Sequence, residues 1–298
     1  MSVQTIYTSE EGKRRILNYY EAYLPLIKVE FERVYVDTRF GITHTLVAGP
    51  VEGKPLFIFQ GGNCINPMTL SWFSSLFEEY RIYAPDTIGN PGYSAETRVS
   101  AKDDSYALWV ADLMNHFGIE KSACIGPSYG AGIILRTAAY MPEKIACSVL
   151  MAPSGLQMGS KLKMVQKILL PLIRFQLFSD KRGLQKIADA MSLNSMKEID
   201  RQIIEDIFTH VDLSHEMPKR TEKKELAQYT SPTMVLAGTE DIFFPGDQVV
   251  ARAEAIIPNL VAATTYPMGH FPSDAYLQKM NDDIKQFLSE HYSFSCGD

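Results

Sequence analysis

Three side chains in this sequence are of the types that together activate a hydroxyl group as a nucleophile. Ser128 is the centre of Gly126-Pro127-Ser128-Tyr129-Gly130, which is a G-x-S-x-G motif. A serine hydroxyl is a weak nucleophile near neutral pH, so it needs a base to take its proton. His270 would be that base, and Asp241 would hold the imidazole in one tautomer and stabilise the imidazolium.

The sequence around Ser128 predicts a sharp turn from a strand into a helix. The apolar run Ala123-Cys124-Ile125 precedes the motif, and small or apolar residues follow it. On such a turn the serine is raised above the sheet in a strained conformation, and glycines on either side let strand and helix approach closely. The alternative is a glycine-containing turn with an incidental serine. The choice between the two depends on whether the rest of the chain supplies a base, an acid and a second oxyanion donor.

Apolar runs alternate with helical patterns along most of the chain, which predicts a doubly wound, mostly parallel α/β sheet. A helix is expected from Ser9 to about Tyr23, ended by Pro25, and then a hairpin of strands at 29–36 and 42–48. Another helix is expected at 68–78. The later predicted strands are 56–59, 80–85, 123–125, 145–151, 233–237 and 260–266.

Ser128, Asp241 and His270 each lie just past a predicted strand. The carboxyl ends of parallel strands share one edge of a sheet, where ligands bind in open α/β folds. The order Ser, Asp, His is typical of hydrolases with a nucleophile elbow. Glu240 and Asp247 are the alternatives for the acid, but Asp241 is better placed after its strand and Asp247 is expected to cap the next helix.

An oxyanion hole is predicted beside Ser128. One donor is the N–H of Tyr129, directly after the serine, and the other belongs to the loop after strand 56–59. Gly62 is the first choice there and Asn63 the second, with Asn63 also expected to contact substrate. Cys64 should lie close by as a packed thiol, because no base is assigned to it.

Residues 156–227 carry helical patterns and no strand pattern, which predicts a helical cap inserted into the core formed by 1–155 and 228–298. The lysines and arginines near 161–182 could touch an anionic membrane surface. A solvated helix face is the favoured interpretation of these charges. His210 and His215 fit no standard metal spacing, so no metal site is expected.

Composition excludes several classes of partner. The chain has 298 residues, 46% of them hydrophobic, and a net charge of −6, so a nucleic-acid partner is not expected. No apolar run reaches the roughly 18 residues of a membrane span, and residues 1–15 lack the apolar core of a signal peptide. Four scattered cysteines suggest free thiols in a reducing compartment. We expect a cytoplasmic monomer or homodimer without stable membrane association.

The whole length resembles the α/β-hydrolase fold superfamily. The resemblance rests on the elbow, on the acid loop Gly238-Thr239-Glu240-Asp241 and on Gly269-His270. More narrowly, the chain resembles bacillar carboxylesterases of the naproxen-esterase type, through the N-terminal helix, the turn Thr38-Arg39-Phe40-Gly41, and residues 83–89 and 118–122. Many relatives have His-Gly where this chain has Gln60-Gly61, and His or Leu where it has Pro127.

The resemblance implies a Ser-His-Asp hydrolase with a helical cap and no cofactor. The expected substrate is a small or medium carboxylic ester, cleaved through an acyl-enzyme. One alternative is the same triad acting on a thioester, an amide, a C–C bond or in peracid chemistry, because one fold hosts many reactions. Another is a ligand-binding protein that has lost turnover. Ser128 argues against the dehalogenase and epoxide-hydrolase branches, which need aspartate there.

Overall fold

An eight-stranded sheet is the centre of the computed structural model, which describes residues 5–178 and 181–292. The strand order is β1-β2-β4-β3-β5-β6-β7-β8. β1 and β2, and β2 and β4, are antiparallel, and all other neighbours are parallel. The strands are β1 (Glu32–Thr38), β2 (Gly41–Ala48), β3 (Lys54–Ile58), β4 (Tyr80–Pro85), β5 (Ser122–Pro127), β6 (Ile145–Met151), β7 (Thr233–Gly238) and β8 (Leu260–Tyr266).

Helices cover both faces of the sheet. They are α1 (Glu10–Ile27), α2 (Asn66–Leu70), α3 (Ser105–His116), α4 (Tyr129–Tyr140), α5 (Lys161–Met164), α6 (Leu170–Phe178), α7 (Lys181–Ser192), α8 (Glu198–His210), α9 (Gly246–Ile256) and α10 (Asp274–His291). Side chains of α1 and α10 share one apolar layer with Leu56 and Ile58 of β3. Side chains of α3, α4 and α9 form the other layer, next to Phe57 of the same strand. The predicted doubly wound α/β fold is confirmed.

Local structure differs from the sequence-based expectation near the N-terminus. Pro25 does not end α1, which continues to Ile27 and is capped by Lys28 at φ 61°. Proline cannot donate to the carbonyl four residues earlier, and its ring crowds that carbonyl. The helix nevertheless continues to Ile27, which is buried in the core. The region 68–78 is not one helix: α2 gives way to a 3₁₀ helix, Ser71–Leu76, with a kink at Phe73.

The chain between β6 and β7 forms α5 to α8 and loops, and within the described ranges its only β-type pairing is an isolated bridge from Tyr7 to Val211. A wide π-helical stretch, Val165–Leu169, joins α5 to α6 immediately before Pro171. Proline lacks an N–H, and its ring clashes with the carbonyl four residues earlier in an α-helix. The widened turn relieves that clash.

Candidate active site

Ser128 occupies the junction between β5, which ends at Pro127, and α4, which begins at Tyr129. Its backbone has φ 51° and ψ −109°, a conformation that costs a non-glycine residue roughly 1–3 kcal/mol. Hydrogen bonds hold it in place. The Ser128 N–H donates to the Met151 carbonyl at 2.8 Å, and the N–H and Oγ of Ser154 donate to the Ser128 carbonyl at 3.1 and 2.9 Å.

The elbow is tight enough to require glycine on both sides of the serine. A Cβ on Gly130 would lie 2.4 Å from the Phe59 carbonyl oxygen, and one on Gly126 would lie 2.5 Å from the backbone of Gly130. Both distances are shorter than van der Waals contact. The G-x-S-x-G spacing is therefore a packing requirement between β3, β5 and the start of α4.

Asp241 follows β7 and is buried against His270. The distance from Asp241 Oδ2 to His270 Nδ1 is 2.7 Å. The other carboxylate oxygen accepts the N–H groups of Phe243 and Phe244 at 2.8 and 3.1 Å. An ionised carboxylate only accepts, so it holds the proton on His270 Nδ1 and leaves Nε2 as an acceptor. This is the tautomer that a general base needs.

Aromatic rings and the backbone fix the position of His270. Its ring centroid lies 5.0 Å from that of Phe243, 5.6 Å from Phe244 and 5.8 Å from Phe271. The Phe271 N–H donates to the carbonyl of Met191, at the end of α7, at 2.9 Å. The imidazole is therefore held between the acid loop and a helix of the segment between β6 and β7.

The two alternatives for the acid lie elsewhere. Glu240 is exposed, and Asp247 is an exposed residue of the first turn of α9. Asp247 does not cap that helix, contrary to expectation, because the N-cap position is Pro245. Of these three carboxylates, only Asp241 is paired with His270 in the described part of the chain.

Ser128 and His270 line one small cavity together with Trp72 and Pro272. Its volume is about 10 Å³, near the lower limit for one water molecule. Ser128 Oγ makes no hydrogen bond to His270 in the described residues. Catalytic hydrogen bonds are commonly long at rest and shorten in the transition state. An ester is larger than this cavity, so the side chains that line it would have to move to admit one.

The backbone N–H groups of Gly62 and Tyr129 have no hydrogen-bond partner among the residues that the structure describes. The two residues are adjacent, since a Cβ on Gly62 would lie 3.2 Å from the Tyr129 Cβ. By contrast, the Gly61 N–H is occupied by Thr69 Oγ1 at 3.1 Å. Asn63 has φ 52°, which turns the chain directly after Gly62.

Gln60 has a structural role that the sequence analysis missed. Its side chain is fully buried. The amide nitrogen donates to the carbonyls of Cys64 and Pro91 at 2.6 and 3.1 Å, and the amide oxygen accepts the Thr87 N–H at 2.8 Å. Gln60 therefore fastens the loop after β3 to the loop after β4. The departure from His-Gly at this position was the available signal.

Two side chains near the site have structural roles, and for Cys64 this agrees with the packed thiol that the sequence predicts. Cys64 is a buried free thiol that contacts the Gly61 carbonyl, and burial raises its pKa to about 12. Asp86 anchors its own loop: it accepts the Tyr93 N–H at 2.8 Å, and it pairs with the buried His44 at 3.0 Å. These contacts account for Cys64, Asp86 and His44 without catalysis.

Comparison with known proteins finds bacterial esterases that align with this chain over nearly their whole length. The chain is 24% identical over 297 residues to a Bacillus subtilis protein named uncharacterized carboxylesterase nap, covering 94% of this chain and 95% of the relative. It is also 24% identical over 286 residues to carboxylesterase YbfK of the same organism, covering 91% and 94%. The crystal structure of naproxen esterase from Bacillus subtilis superposes with a TM-score of 0.79 at 22% identity, covering 94% and 99%.

A family match covers most of the sheet and the predicted site. Residues 54–274 match the family described as alpha/beta hydrolase fold, a range that begins at β3 and ends beyond His270. That range is well over half of the 298 residues. The chain therefore belongs to the alpha/beta hydrolase fold family.

Proposed function

We propose that this protein is a carboxylesterase-like serine hydrolase that cleaves small or medium carboxylic esters in water. The observation that carries the proposal is the 2.7 Å contact between His270 and the doubly anchored Asp241, with Ser128 on the same cavity. The carboxylesterase names of both Bacillus subtilis relatives support a carboxylic ester as the bond that is cleaved.

The proposed reaction has two acyl-transfer steps. Ser128 Oγ attacks the ester carbonyl while His270 Nε2 takes its proton, and the same proton then goes to the departing alcohol. Water next attacks the acyl-enzyme with His270 as base, which releases the acid and restores Ser128. Asp241 stays ionised throughout and stabilises the imidazolium. The N–H groups of Gly62 and Tyr129 would receive the oxyanion of both tetrahedral intermediates.

We also propose residues 156–227 as a cap over the site. Two backbone contacts support this role. The Gly159 N–H donates to the carbonyl of Phe243, two residues after Asp241, at 2.7 Å, and the Phe271 N–H donates to Met191. Movement of this segment would be transmitted to both catalytic loops. It would also enlarge the cavity of about 10 Å³ that Ser128 now lines.

A fluorophosphonate probe tests the nucleophile, because it phosphonylates only an activated serine. We expect labelling of the wild type at Ser128, mapped by peptide mass spectrometry, and none in Ser128→Ala. The matched control is Ser74→Ala, which removes an exposed serine hydroxyl outside the site. Unchanged labelling of Ser128→Ala would refute the assignment.

A panel of p-nitrophenyl esters from acetate to octanoate tests whether the bond that the protein cleaves is an ester. Hydrolysis that Ser128→Ala abolishes would support an esterase. Labelling of Ser128 without hydrolysis of any ester would argue against a carboxylesterase and for another acyl bond. An absence of both labelling and hydrolysis would favour a binding protein of the same fold.

A further inference from the structure

The helical segment that follows β6 exposes an unusual number of apolar side chains. Of the fifteen large apolar side chains that are exposed in the described ranges, seven lie in residues 158–177. Leu162 and Leu177 are 65% and 69% exposed. The seven are Met158, Leu162, Val165, Leu169, Leu170, Ile173 and Leu177. Contiguous exposed apolar surface on a helix marks an interaction site more often than it marks a free surface.

Packing against the rest of the protein does not explain these side chains. The segment already has an inward face, on which Ile168, Leu172 and Phe175 pack against the core. The exposed residues Leu162, Val165, Leu169, Ile173 and Leu177 recur at intervals of three or four, which places them along a second, outward stripe. A helix that is apolar on two faces needs a second apolar environment.

The charge of this segment differs from that of the chain as a whole. Residues 158–178 contain four basic residues and no aspartate or glutamate, although the chain carries a net charge of −6. Lys161 and Lys163 are exposed and have no acidic partner among the described residues. Lys167 lines a groove that also holds Asp189 and Glu240. Lys161 and Lys163 are therefore the clearest sites of uncompensated positive charge.

We propose that residues 158–178 dock this protein reversibly on an anionic lipid surface. The leucine stripe would enter the boundary between headgroups and acyl chains, and the lysines would contact lipid phosphates. No described helix is long and apolar enough to cross a bilayer, so the binding is peripheral. The segment begins beside the acid loop, where Gly159 contacts Phe243, so docking would present the proposed site to the membrane.

A second copy of the chain fits this face less well. A symmetric dimer through the stripe would bring both sets of lysines together, because the same patch meets itself. Residues 158–178 contain no acidic side chain that could neutralise them. An anionic lipid surface would offer an apolar environment to the leucines and negatively charged phosphates to the lysines.

Co-sedimentation with large unilamellar vesicles tests the proposal. We expect the full-length protein to bind phosphatidylglycerol–phosphatidylcholine vesicles at least about tenfold more tightly than pure phosphatidylcholine, with binding weakened by 0.5 M salt as screening requires. Leu162→Gln/Leu177→Gln and Lys161→Glu/Lys163→Glu should each lower the affinity about tenfold or more. An acidic residue suits the first turn of a helix, so the charge variant should stay folded.

Controls separate docking from folding and from catalysis. Leu26→Gln/Val51→Gln replaces two exposed apolar residues outside the segment and should bind as the wild type does. Ser128→Ala should also bind normally, so docking can stand even if the esterase proposal fails. Equal binding to both vesicle types, or no effect of either test variant, would overturn the proposal. So would a dimer that the Leu162→Gln/Leu177→Gln variant disperses, without vesicle binding.

Discussion

Asp241 and His270 illustrate how a few backbone contacts hold two side chains in the geometry that the proposed proton transfer needs. One oxygen of Asp241 is occupied by the N–H groups of Phe243 and Phe244, so only the other faces His270. The carboxylate cannot rotate without losing both of these hydrogen bonds. His44 and Asp86 make a similar pair at 3.0 Å, but both side chains are fully buried and serve a loop. The pairing alone therefore does not distinguish the two pairs. We propose Asp241 and His270 as the catalytic pair because His270 lines the same cavity as Ser128.

Asp241→Asn tests the acid. The amide keeps the shape of the side chain but would favour the wrong imidazole tautomer, so we expect kcat on the best ester to fall about 10³- to 10⁴-fold. The free energy of unfolding, measured in urea, should change much less than the activation free energy of the reaction does. Asp247→Asn, at an exposed carboxylate on α9, should retain wild-type kcat. A similar loss of kcat in both variants would contradict the assignment of Asp241.

At the level of elements, the elbow depends on how closely β3, β5 and α4 approach. Gly130 leaves no space for a Cβ next to the Phe59 carbonyl, and Ser154, just past β6, supports the strained carbonyl of Ser128. Gln60 connects the loops after β3 and β4. Contacts at the ends of β3, β5 and β6 together offset the free-energy cost of the unfavourable backbone conformation at Ser128.

Gly130→Ala tests this packing. Its Cβ would be placed 2.4 Å from the Phe59 carbonyl oxygen, so β3 and α4 would have to separate. We expect a loss of about 1–3 kcal/mol in the free energy of unfolding, as for other overpacked sites, together with weaker fluorophosphonate labelling. The matched control is Gly61→Ala, whose Cβ would lie 3.5 Å from Cys64 Sγ, an ordinary contact. Equal unfolding free energies for the two variants would show that the elbow is not tight.

At the level of the whole molecule, a partly buried ion pair links α4 to the end of the segment 156–227. Arg136 of α4 is fully buried and lies 3.0 Å from Glu225, and it also donates to Thr221 at 2.7 Å. Burial by itself would raise the pKa of Glu225. The Glu222 backbone, Arg136 and Lys219 outweigh it and lower that pKa from 4.5 to about 2.

This pair should make stability depend on pH. A carboxyl whose pKa is depressed by folding stabilises the native state fully above its unfolded pKa, near 4.5, and loses that contribution as the pH falls toward about 2. We expect the stability difference between the wild type and Glu225→Gln to shrink by about 1–2 kcal/mol between pH 6 and pH 3, allowing for partial solvent screening.

Urea unfolding at pH 6, 5, 4 and 3 measures this difference. Glu52→Gln, at an exposed glutamate, is the matched control and should follow the wild type at every pH. A difference between the wild type and Glu225→Gln that stays constant across this range would rule out the proposed coupling.

The sequence by itself determined the features that depend on neighbouring residues. The G-x-S-x-G turn, the apolar strands and, through their alternation with helical patterns, the α/β class follow from local patterns, because strand burial, glycine geometry and turn chemistry act over a few residues. The end of α1 and the 3₁₀ turn after α2 were predicted wrongly. In both places the segment carries buried apolar side chains, Ile27 in α1 and Phe73 and Leu76 in the 3₁₀ helix, and this burial outweighs the local sequence preference.

Only the tertiary structure decided which backbone N–H groups of the predicted site already have a hydrogen-bond partner and which do not. It shows that the N–H of Gly61 is bound to Thr69 while that of Gly62 has no partner in the described chain, and that Gln60 holds the loop. It also shows that the lysine-rich segment 158–178 carries exposed leucines. Each of these facts depends on atoms distant in sequence, and hydrophobic periodicity cannot reveal which apolar face of a helix the core covers.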